Sequence, residues 1–433
     1  MNLRNNLFLI SLTIIIIVIS SCKKDGDTLP PVVTIDNPYE YKTYNMYDTI
    51  YISGNVKDDN FVQSVKISIV NSNFEPVLND EFHSIYTKTY NFNTSIAIND
   101  IHLNSGLYYV LVTASDGTNS KNLYRAITIN GIPLVFKKVI AITNVNSNSY
   151  NVYGINDTLQ STFMFNYTGD YISSAINNNY QQIYICGSVN SDMNAYDLGS
   201  NSIQWSLTHE NNAPFPSFNN VYFNNDVIYV SYYNNKIIGY NRLEGINMTA
   251  HTTTGYTPGK TYIFNNYLLA QEKNTSGTEY LLSVYYTTGF LKVSNLISVI
   301  IKGMETKDDT HVYLFGNTAA NKAVMTIYDI DQNGYYPPHA MPDASLNDYV
   351  KIDANDYLLS IGSDVYWYQQ STNSLTTILT NVNAKHICYE SLSGNFVIAS
   401  GNQLSIYNYP SGIYVGGTTL PYTINDILLQ YNR

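Results

Sequence analysis

Asp329, Asp331 and Asn333 alternate with other residues, and this spacing of oxygen-bearing side chains is that of a loop that wraps around Ca²⁺. Such a loop also needs a bidentate carboxylate at its twelfth position, where this chain has Ala340. Asn333 followed by Gly334 is, in addition, a strong signal for a hairpin turn. The pattern therefore favours a turn between two strands, with calcium binding as the secondary interpretation, and no complete metal site is predicted.

Other residues with catalytic or metal-binding potential follow no recognisable pattern. Asp58 and Asp59 are adjacent carboxylates, but two carboxylates rarely complete a calcium shell, so a turn is favoured here too. No Gly-x-Ser-x-Gly motif, P-loop or dinucleotide-binding fingerprint occurs. The histidines never show the spacing of metal ligands; they are His83, His102, His209, His251, His311, His339 and His386. The sequence thus predicts no cofactor and favours a non-catalytic protein, although carboxylates that meet only in the folded chain would escape this search.

The elements that carry these residues repeat along the chain. Strand–turn–strand units, clearest between Ile183 and Trp205, return with a turn residue about every 40 residues. A period of about 40–50 residues in an all-strand pattern is typical of a β-propeller with one four-stranded blade per repeat. We count seven blades. The turn residues are Asn201, Gly245, Gly289, Asn333, Asn373 and Gly412, with a weaker turn near Thr158.

The two ends of the repeat region complement each other. The first repeat shows only three strands, at 139–145, 150–155 and 160–166, whereas residues 423–430 form one strand too many. The C-terminal strand is therefore predicted to complete the first blade and close the ring, which removes an open sheet edge. The six complete blades are expected at about 170–209, 219–252, 260–296, 299–340, 348–382 and 385–420.

One repeat carries a longer motif. Ala195, Asp197, Ser200 and Trp205 have the spacing of the repeat Ala-x-Asp-x-x-Thr-Gly-x-x-x-Trp, so this segment resembles quinoprotein-like (PQQ- or WD40-like) β-propellers. The resemblance implies that Ala195, Asp197 and Trp205 are structural and that the Trp docks between neighbouring blades. It does not extend to a quinone cofactor, because the chain has neither a vicinal pair of cysteines nor a recognisable set of cofactor ligands.

The N-terminal residues 1–22 are predicted to be a lipoprotein signal peptide. Arg4 provides a short positive region, and an apolar run extends to Ile19, too short for a comfortable membrane span. The sequence Ile19-Ser20-Ser21-Cys22 resembles the lipobox of bacterial lipoproteins, which implies cleavage before Cys22 and lipidation of that residue. An uncleaved anchor or an ordinary signal peptide is the alternative. Residues 23–31 form a tether, and we expect the protein to be lipid-anchored in the outer membrane and exposed at the cell surface.

Between the tether and the propeller, residues 32–131 are predicted to form an Ig-like β-sandwich, and residues 132–433 the propeller. About 100 residues with six short alternating strands is the size of such a sandwich. The segments 54–59 and 105–110 resemble phrases of bacterial Ig-like modules. The strands are expected at 32–35, 49–57, 64–71, 86–98, 106–115 and 123–129, with a turn at 58–60.

Composition narrows the range of functions. The net charge of −11 and the lack of a basic run exclude a typical nucleic-acid-binding surface. The 42 tyrosines are expected mainly in packing between blades, with a minority free to contact sugars or a protein. Cys186 and Cys388 fall in different blades and are predicted to be buried, unpaired core residues. No helix is expected beyond the signal peptide.

In its organisation the chain resembles bacterial surface lipoproteins of the adhesion type, with an Ig-like domain before a propeller. This resemblance implies a non-catalytic module that binds a protein or a glycan, with the membrane as a further partner through the lipid. One alternative is a lyase, hydrolase or dehydrogenase with its site at the mouth of the propeller channel, which clustered charged side chains would favour. Another is a periplasm-facing scaffold for outer-membrane assembly.

Overall fold

The computed structural model describes residues 28–210 and 215–433, and these residues form strands, turns and coil without a helix. The chain divides into two compact units, one ending at Pro133 and one running from Leu134 to Arg433. In the two described ranges no helix is long and apolar enough to cross a membrane. The predicted signal peptide with Cys22 and most of the tether lie outside these ranges.

The first unit contains a six-stranded sheet in the order β1-β3-β5-β6-β2, with β4 also paired to β3. Only β2 and β6 run parallel. Buried Val56, Val65, Phe92, Val110 and Ile127 belong to its core. The strands are β1 (Val32–Asn37), β2 (Lys42–Asn45), β3 (Thr49–Val70), β4 (Glu81–Ala97), β5 (Gly106–Ser115) and β6 (Ser120–Asn130).

Two features of this unit differ from the sequence-based prediction. The expected turn at Asp58–Asn60 lies inside one long strand, β3, whose pairing with β4 shifts in register between Lys57 and Val62 and again between Val62 and Ser64. A hydrogen bond from the Asn60 amide to Asp58 Oδ1 (2.8 Å) satisfies the local backbone at this point. The short strand β2 was not predicted. The assignment of this unit as Ig-like stays a prediction.

The second unit consists of seven four-stranded antiparallel sheets, which makes it a seven-bladed β-propeller as predicted. Blades 1 to 3 contain β34 (Thr423–Tyr431), β7 (Phe136–Asn146), β8 (Ser149–Ile155) and β9 (Ser161–Thr168); β10 (Ser173–Asn177), β11 (Gln182–Cys186), β12 (Met193–Asp197) and β13 (Ile203–Leu207); and β14 (Phe218–Asn224), β15 (Val227–Tyr232), β16 (Lys236–Asn241) and β17 (Ile246–His251). Blades 4 and 5 contain β18 (Tyr256–Phe264), β19 (Tyr267–Asn274), β20 (Tyr280–Tyr286) and β21 (Leu291–Ile297); and β22 (Ile300–Thr306), β23 (His311–Asn317), β24 (Ala323–Asp329) and β25 (Gly334–Tyr335). Blades 6 and 7 contain β26 (Leu346–Lys351), β27 (Asp356–Ile361), β28 (Asp364–Gln369) and β29 (Ser374–Leu379); and β30 (His386–Glu390), β31 (Asn395–Ser400), β32 (Gln403–Asn408) and β33 (Ile413–Thr419).

The C-terminal strand closes the ring. β34 pairs antiparallel with β7, with Ile427 opposite Ala141 and Leu428 opposite Ile140, and it occupies the inner edge of blade 1. It also contacts β30 and β10, the inner strands of the two neighbouring blades. The predicted closure is therefore confirmed, and its position is the innermost strand.

The turns and the blade cores follow from residue type. The predicted turn residues Asn201, Gly289, Asn333, Asn373 and Gly412 have positive φ, the conformation that Gly and Asn tolerate best. In blade 3 the positive φ falls on Glu244, one residue before the predicted Gly245. Aromatic side chains fill the space between blades: the largest fully buried residues include Tyr167, Tyr184, Tyr285, Tyr313, Tyr328 and Tyr357.

Candidate functional site

Seven inner strands surround the propeller axis, and irregular pairing in these strands sets the lining of the channel. The register of β18 shifts between Pro258 and Thr261, and that of β22 shifts between Ile301 and Gly303. A β-bulge leaves its extra residue outside the ladder and re-aims its side chain. Lys260 and Lys302 occupy these bulges in neighbouring blades, and both side chains are exposed.

Two cavities adjoin these lysines. The first, of about 380 Å³, is lined by residues of blades 3 to 6, among them Asn220, Lys260, Thr261, Lys302 and Tyr349. The second, of about 450 Å³, shares Asn220 and Lys260 with the first and adds Tyr233, Tyr280 and Lys273. Volumes of this size suit a small ligand, and a lining with a few convergent polar groups is typical of binding sites.

The two lysines have no partner within the described chain. Neither Lys260 nor Lys302 takes part in a hydrogen bond or an ion pair among residues 28–210 and 215–433. Enclosure by the ring lowers the pKa of Lys260, and the charge of Lys302 lowers it further, whereas Asp426 and Asp348 act in the opposite direction. The lysine pair therefore lies within electrostatic reach of two carboxylates on blades 6 and 1.

Those carboxylates, in contrast, have hydrogen-bond partners. Asp348 accepts the backbone N–H of Tyr349 (2.9 Å) at one oxygen and that of Ile387 (3.0 Å) at the other. Burial raises the pKa of Asp348 to about 6, against the effects of His386 and these amides. Because Ile387 belongs to blade 7, the Asp348 side chain also ties blade 6 to blade 7.

Asp426 makes the equivalent connection from blade 1 to blade 2. It accepts hydrogen bonds from the hydroxyls of Tyr171 and Ser174, both at 2.7 Å, and from the amide of Ile427 at 2.9 Å. His386 Nδ1 lies 3.9 Å from Asp426 Oδ1, the oxygen that accepts the Ile427 amide. Both aspartates thus have a structural use that explains why they lie beside the channel.

Two further titratable groups are Glu305, which lines the first cavity, and Cys388, which lies near Asp348 and Asp426. Burial raises the pKa of Glu305, whose carboxylate lies 3.3 Å from the Tyr349 hydroxyl and 3.8 Å from Lys351 Nζ. Cys388 was predicted to be a buried core residue, but it is half-buried on the inner strand β30 because inner strands border the channel. Its enclosure and the nearby carboxylates raise the pKa of its thiol, so it is not a thiolate nucleophile at neutral pH. Cys186 is buried, and both cysteines are unpaired.

The structure places the motif residues of blade 2 at the junction with blade 3. Ala195 is fully buried opposite Trp205, whose indole N–H donates to the carbonyl of Arg242 in blade 3 at 2.9 Å. The Trp205 ring lies 6.3 Å from that of Tyr240, also in blade 3. Asp197 accepts the amide (2.6 Å) and hydroxyl (2.8 Å) of Ser200 in the turn, and these bonds lower the pKa of Asp197. None of these side chains lines either channel cavity.

The calcium candidates use their oxygens within a hairpin. Asp329 Oδ1 accepts the backbone amides of Asp331 and Gln332, both at 2.9 Å, and Asn333 Oδ1 accepts the Tyr328 hydroxyl at 2.7 Å. Asp331 is exposed. Within the described ranges no group of three or more His, Cys, Asp or Glu side chains could hold a metal ion.

The residues around the channel were not found from the sequence. The signal that could have revealed them is a polar pair that interrupts the first strand of successive repeats. It interrupts five inner strands as Asn219-Asn220, Gly259-Lys260, Lys302-Gly303, Asn347-Asp348 and Asn425-Asp426, whereas Lys385-His386 stands at the start of β30, which pairs without a shift. No single pair differs from an ordinary turn or bulge, so only the comparison across repeats would have shown it.

Comparisons with known proteins concern the fold alone. No protein-family model matches the chain, and no curated protein matches it. A quinoprotein alcohol dehydrogenase-like protein from Bacteroides thetaiotaomicron is 11% identical, with a TM-score of 0.49, covering 93% of this chain and 99% of that one. AztD from Citrobacter koseri is 10% identical (TM-score 0.48, 67% of this chain, 84% of that one), and BamB from Moraxella catarrhalis is 10% identical (TM-score 0.41, 68% and 93%).

Proposed function

We propose that this protein is a lipid-anchored protein of the outer membrane, exposed at the cell surface, whose propeller is a non-catalytic binding module. The observation that carries the binding role is the group of unpartnered polar side chains around the channel cavities. Unpaired donors beside an open cavity lose little by binding a ligand, because no internal bond must first be broken. A glycan or an exposed segment of a protein could supply the missing partners.

The anchoring part of the proposal rests on Ile19-Ser20-Ser21-Cys22. Several acyl chains on one cysteine, at about 0.8 kcal/mol for each buried CH₂, would hold the protein on a membrane almost permanently. The first unit, which we interpret as Ig-like, would then stand between the anchor and the propeller in the chain. Cys22→Ser should release the protein from the membrane fraction and remove the lipid, measured by fractionation and mass spectrometry. A variant that stays in the membrane to the same extent would contradict the lipid anchor.

The binding part is tested with Asn220, one of the two residues that line both cavities. Asn220 is 3% exposed, so Asn220→Leu conserves most of its volume while removing the amide. Wild type and variant should be screened on a glycan array and against outer-surface proteins of neighbouring cells, with thermal melts as a control of folding. We expect a wild-type signal that the folded variant loses. Equal signals would place binding outside the channel and contradict this proposal.

A second candidate function is an enzyme with its site in the channel. The observation that favours it is the proximity of Asp348, His386 and Asp426, together with the pKa of about 6 of Asp348, which would suit proton transfer near neutral pH. Turnover of a bound glycan by the wild type, lost in Asp348→Asn while binding persists, would establish this candidate. Unchanged glycan after long incubation with the wild type would favour the binding module.

A further inference from the structure

Two ammonium groups that contact no carboxylate in the described chain line the first channel cavity. Lys260 and Lys302 come from adjacent inner strands, line the same space of about 380 Å³ and have no hydrogen-bond or ion-pair partner in the described chain. Two like charges repel each other, and the charge of Lys302 lowers the pKa of Lys260. A bound anion between them would relieve this repulsion.

Two uncharged polar groups beside the lysines are also unpartnered, although they are buried. The Thr261 side chain is 5% exposed, and its hydroxyl has no hydrogen-bond partner. The side-chain amide of Asn220 makes no hydrogen bond within the described residues. A buried polar group without a partner is destabilising, so its presence needs an explanation. The Thr261 oxygen is enclosed by the protein, so only Asn220 is within reach of a ligand that carries hydroxyl groups as well as a charge.

The charges around the cavity favour an anion over a cation. Asp348 and Asp426 each accept hydrogen bonds at both carboxylate oxygens. The carboxylate of Glu305 lies 3.3 Å from the Tyr349 hydroxyl and 3.8 Å from Lys351 Nζ. The acidic groups are therefore occupied, whereas the basic groups are free.

Aromatic rings supply the remaining wall. Tyr222 and Tyr262 line the cavity with ring centroids 5.7 Å apart, and Tyr349 lines it from blade 6. The tyrosine hydroxyls are engaged elsewhere, Tyr222 with Asn224 and Tyr262 with Thr306, which leaves their rings as packing surfaces. Aromatic side chains offer an apolar body beside polar groups, a combination that suits the C–H faces of a sugar ring.

We propose that this cavity binds the carboxylate-bearing ring of an acidic sugar, with Lys260 and Lys302 on the carboxylate and with the side-chain amide of Asn220 on a hydroxyl. The inference deepens the proposed binding function, on which it rests, by naming the ligand class as a uronic-acid type of saccharide. No bond of the sugar is made or broken.

The test is a calorimetric titration of the full chain in detergent with D-glucuronate and D-galacturonate, and with D-glucose and D-galactose as neutral counterparts. We expect both acids to bind and the neutral sugars to bind at least tenfold more weakly. Lys260→Met and Lys302→Met should each weaken binding of the acids at least tenfold, since each removes a charge-assisted contact and keeps most of the apolar stem. Lys236→Met is the matched control, because Lys236 lines neither cavity, and it should bind as the wild type does.

Several results would overturn the inference. Equal binding of acids and neutral sugars, or wild-type affinity in both folded lysine variants, would show that the lysines do not recognise an anion. Binding of inorganic phosphate or sulfate without either uronate would exclude a saccharide. None of these results affects a signal on the glycan array that Asn220→Leu abolishes, so failure of the inference can be distinguished from failure of the binding function. Thermal melts of each variant verify that it is folded.

Discussion

The C-terminal strand β34 closes the ring, and the stability lost when it is deleted can be estimated from the structure. β34 is the inner strand of blade 1, and its cross-blade contacts span almost the whole unit in sequence. Asp426 binds Tyr171 and Ser174 of blade 2, and the carbonyls of Leu429 and Tyr431 accept the amide groups of Asn178 and Gln181 at 3.1 and 2.8 Å. Deleting residues 422–433 would remove all of these contacts together with the ladder to β7.

The energy lost can be estimated from burial and hydrogen bonding. Ile424 and Ile427 are 4% and 5% exposed, and each contributes about 1.5–3 kcal/mol through burial. The four cross-blade hydrogen bonds named above add about 1 kcal/mol each. The sum, on the order of 10 kcal/mol before the ladder is counted, equals the whole stability of a typical domain, which is about 5–15 kcal/mol. We therefore expect the truncated propeller to aggregate or to lose cooperative unfolding.

A point variant gives a graded version of the same test. Ile427→Ala should lower the free energy of unfolding by about 2–5 kcal/mol, since the side chain packs with Val139 and Ala141 of β7. Asn425→Ala on the same strand is the control. Its side chain is half-buried and makes no hydrogen bond in the described chain, so we expect a change within about 0.5 kcal/mol.

The assay is a denaturant titration read by tryptophan fluorescence and by far-UV circular dichroism. The two tryptophans, Trp205 in blade 2 and Trp367 in blade 6, sample different blades, so coincident transitions would show that the ring unfolds as one unit. Deletion of residues 32–131 serves as the second control and should leave the transition of the propeller intact. A soluble protein without residues 422–433 that melts cooperatively would refute the argument for closure.

Three further predictions concern single side chains. Trp205→Ala should lower the free energy of unfolding by about 3 kcal/mol, because it removes inter-blade packing and the bond to Arg242, and an unchanged denaturation midpoint would contradict the docking role. Asp348 has a pKa of about 6 in the folded chain against an ordinary value of 3.8, so the folded state binds more protons and stability falls as pH rises from about 4 to 6. Relative to Asp348→Asn, the wild type should therefore lose up to about 3 kcal/mol between pH 4 and pH 7.5 in urea titrations, and a flat difference would mean a solvated carboxylate. Thr261→Val replaces a buried hydroxyl that has no partner and should raise stability by about 1–2 kcal/mol in the same assay, whereas destabilisation would reveal a hidden partner.

The fold could be predicted because its signal is repeated and local. Six of the seven repeats have a Gly or Asn at the predicted turn, and the shift from Gly245 to Glu244 shows that such a signal locates a turn to within about one residue. Elements without alternation or repetition were missed. The strand β2 has four residues and pairs parallel with β6, and nothing in its sequence indicates a partner so distant in the chain. The turn expected at Asp58–Asn60 was wrong because polar residues inside a long strand resemble a turn locally.

The channel could not be predicted for a different reason. Its groups come from different blades, and their proximity depends on the closed ring and on the bulges that take Lys260 and Lys302 out of the ladder. A bulge leaves no distinctive signal in the sequence of a single repeat, and a distance across the ring involves residues of several repeats. The sequence could have shown that a polar pair recurs. Which charged side chains lie close to one another is known only when the blades are arranged around one axis.

The recurring Asn-Asp pair shows how the inner strands of this ring connect neighbouring blades. In both β26 and β34 the pair follows an apolar residue, and in both the aspartate accepts the next backbone amide with one oxygen, at 2.9 Å. The other oxygen reaches the neighbouring blade, at Ile387 from Asp348 and at Ser174 from Asp426. Blades 4 and 5 have lysines at their bulges, and these side chains reach no neighbour in the described chain. The same irregularity of the inner strand therefore fastens one side of the ring with carboxylates and leaves two cations facing a cavity on the other. A ligand that enters this channel would therefore meet unpaired positive charge on the side formed by blades 4 and 5.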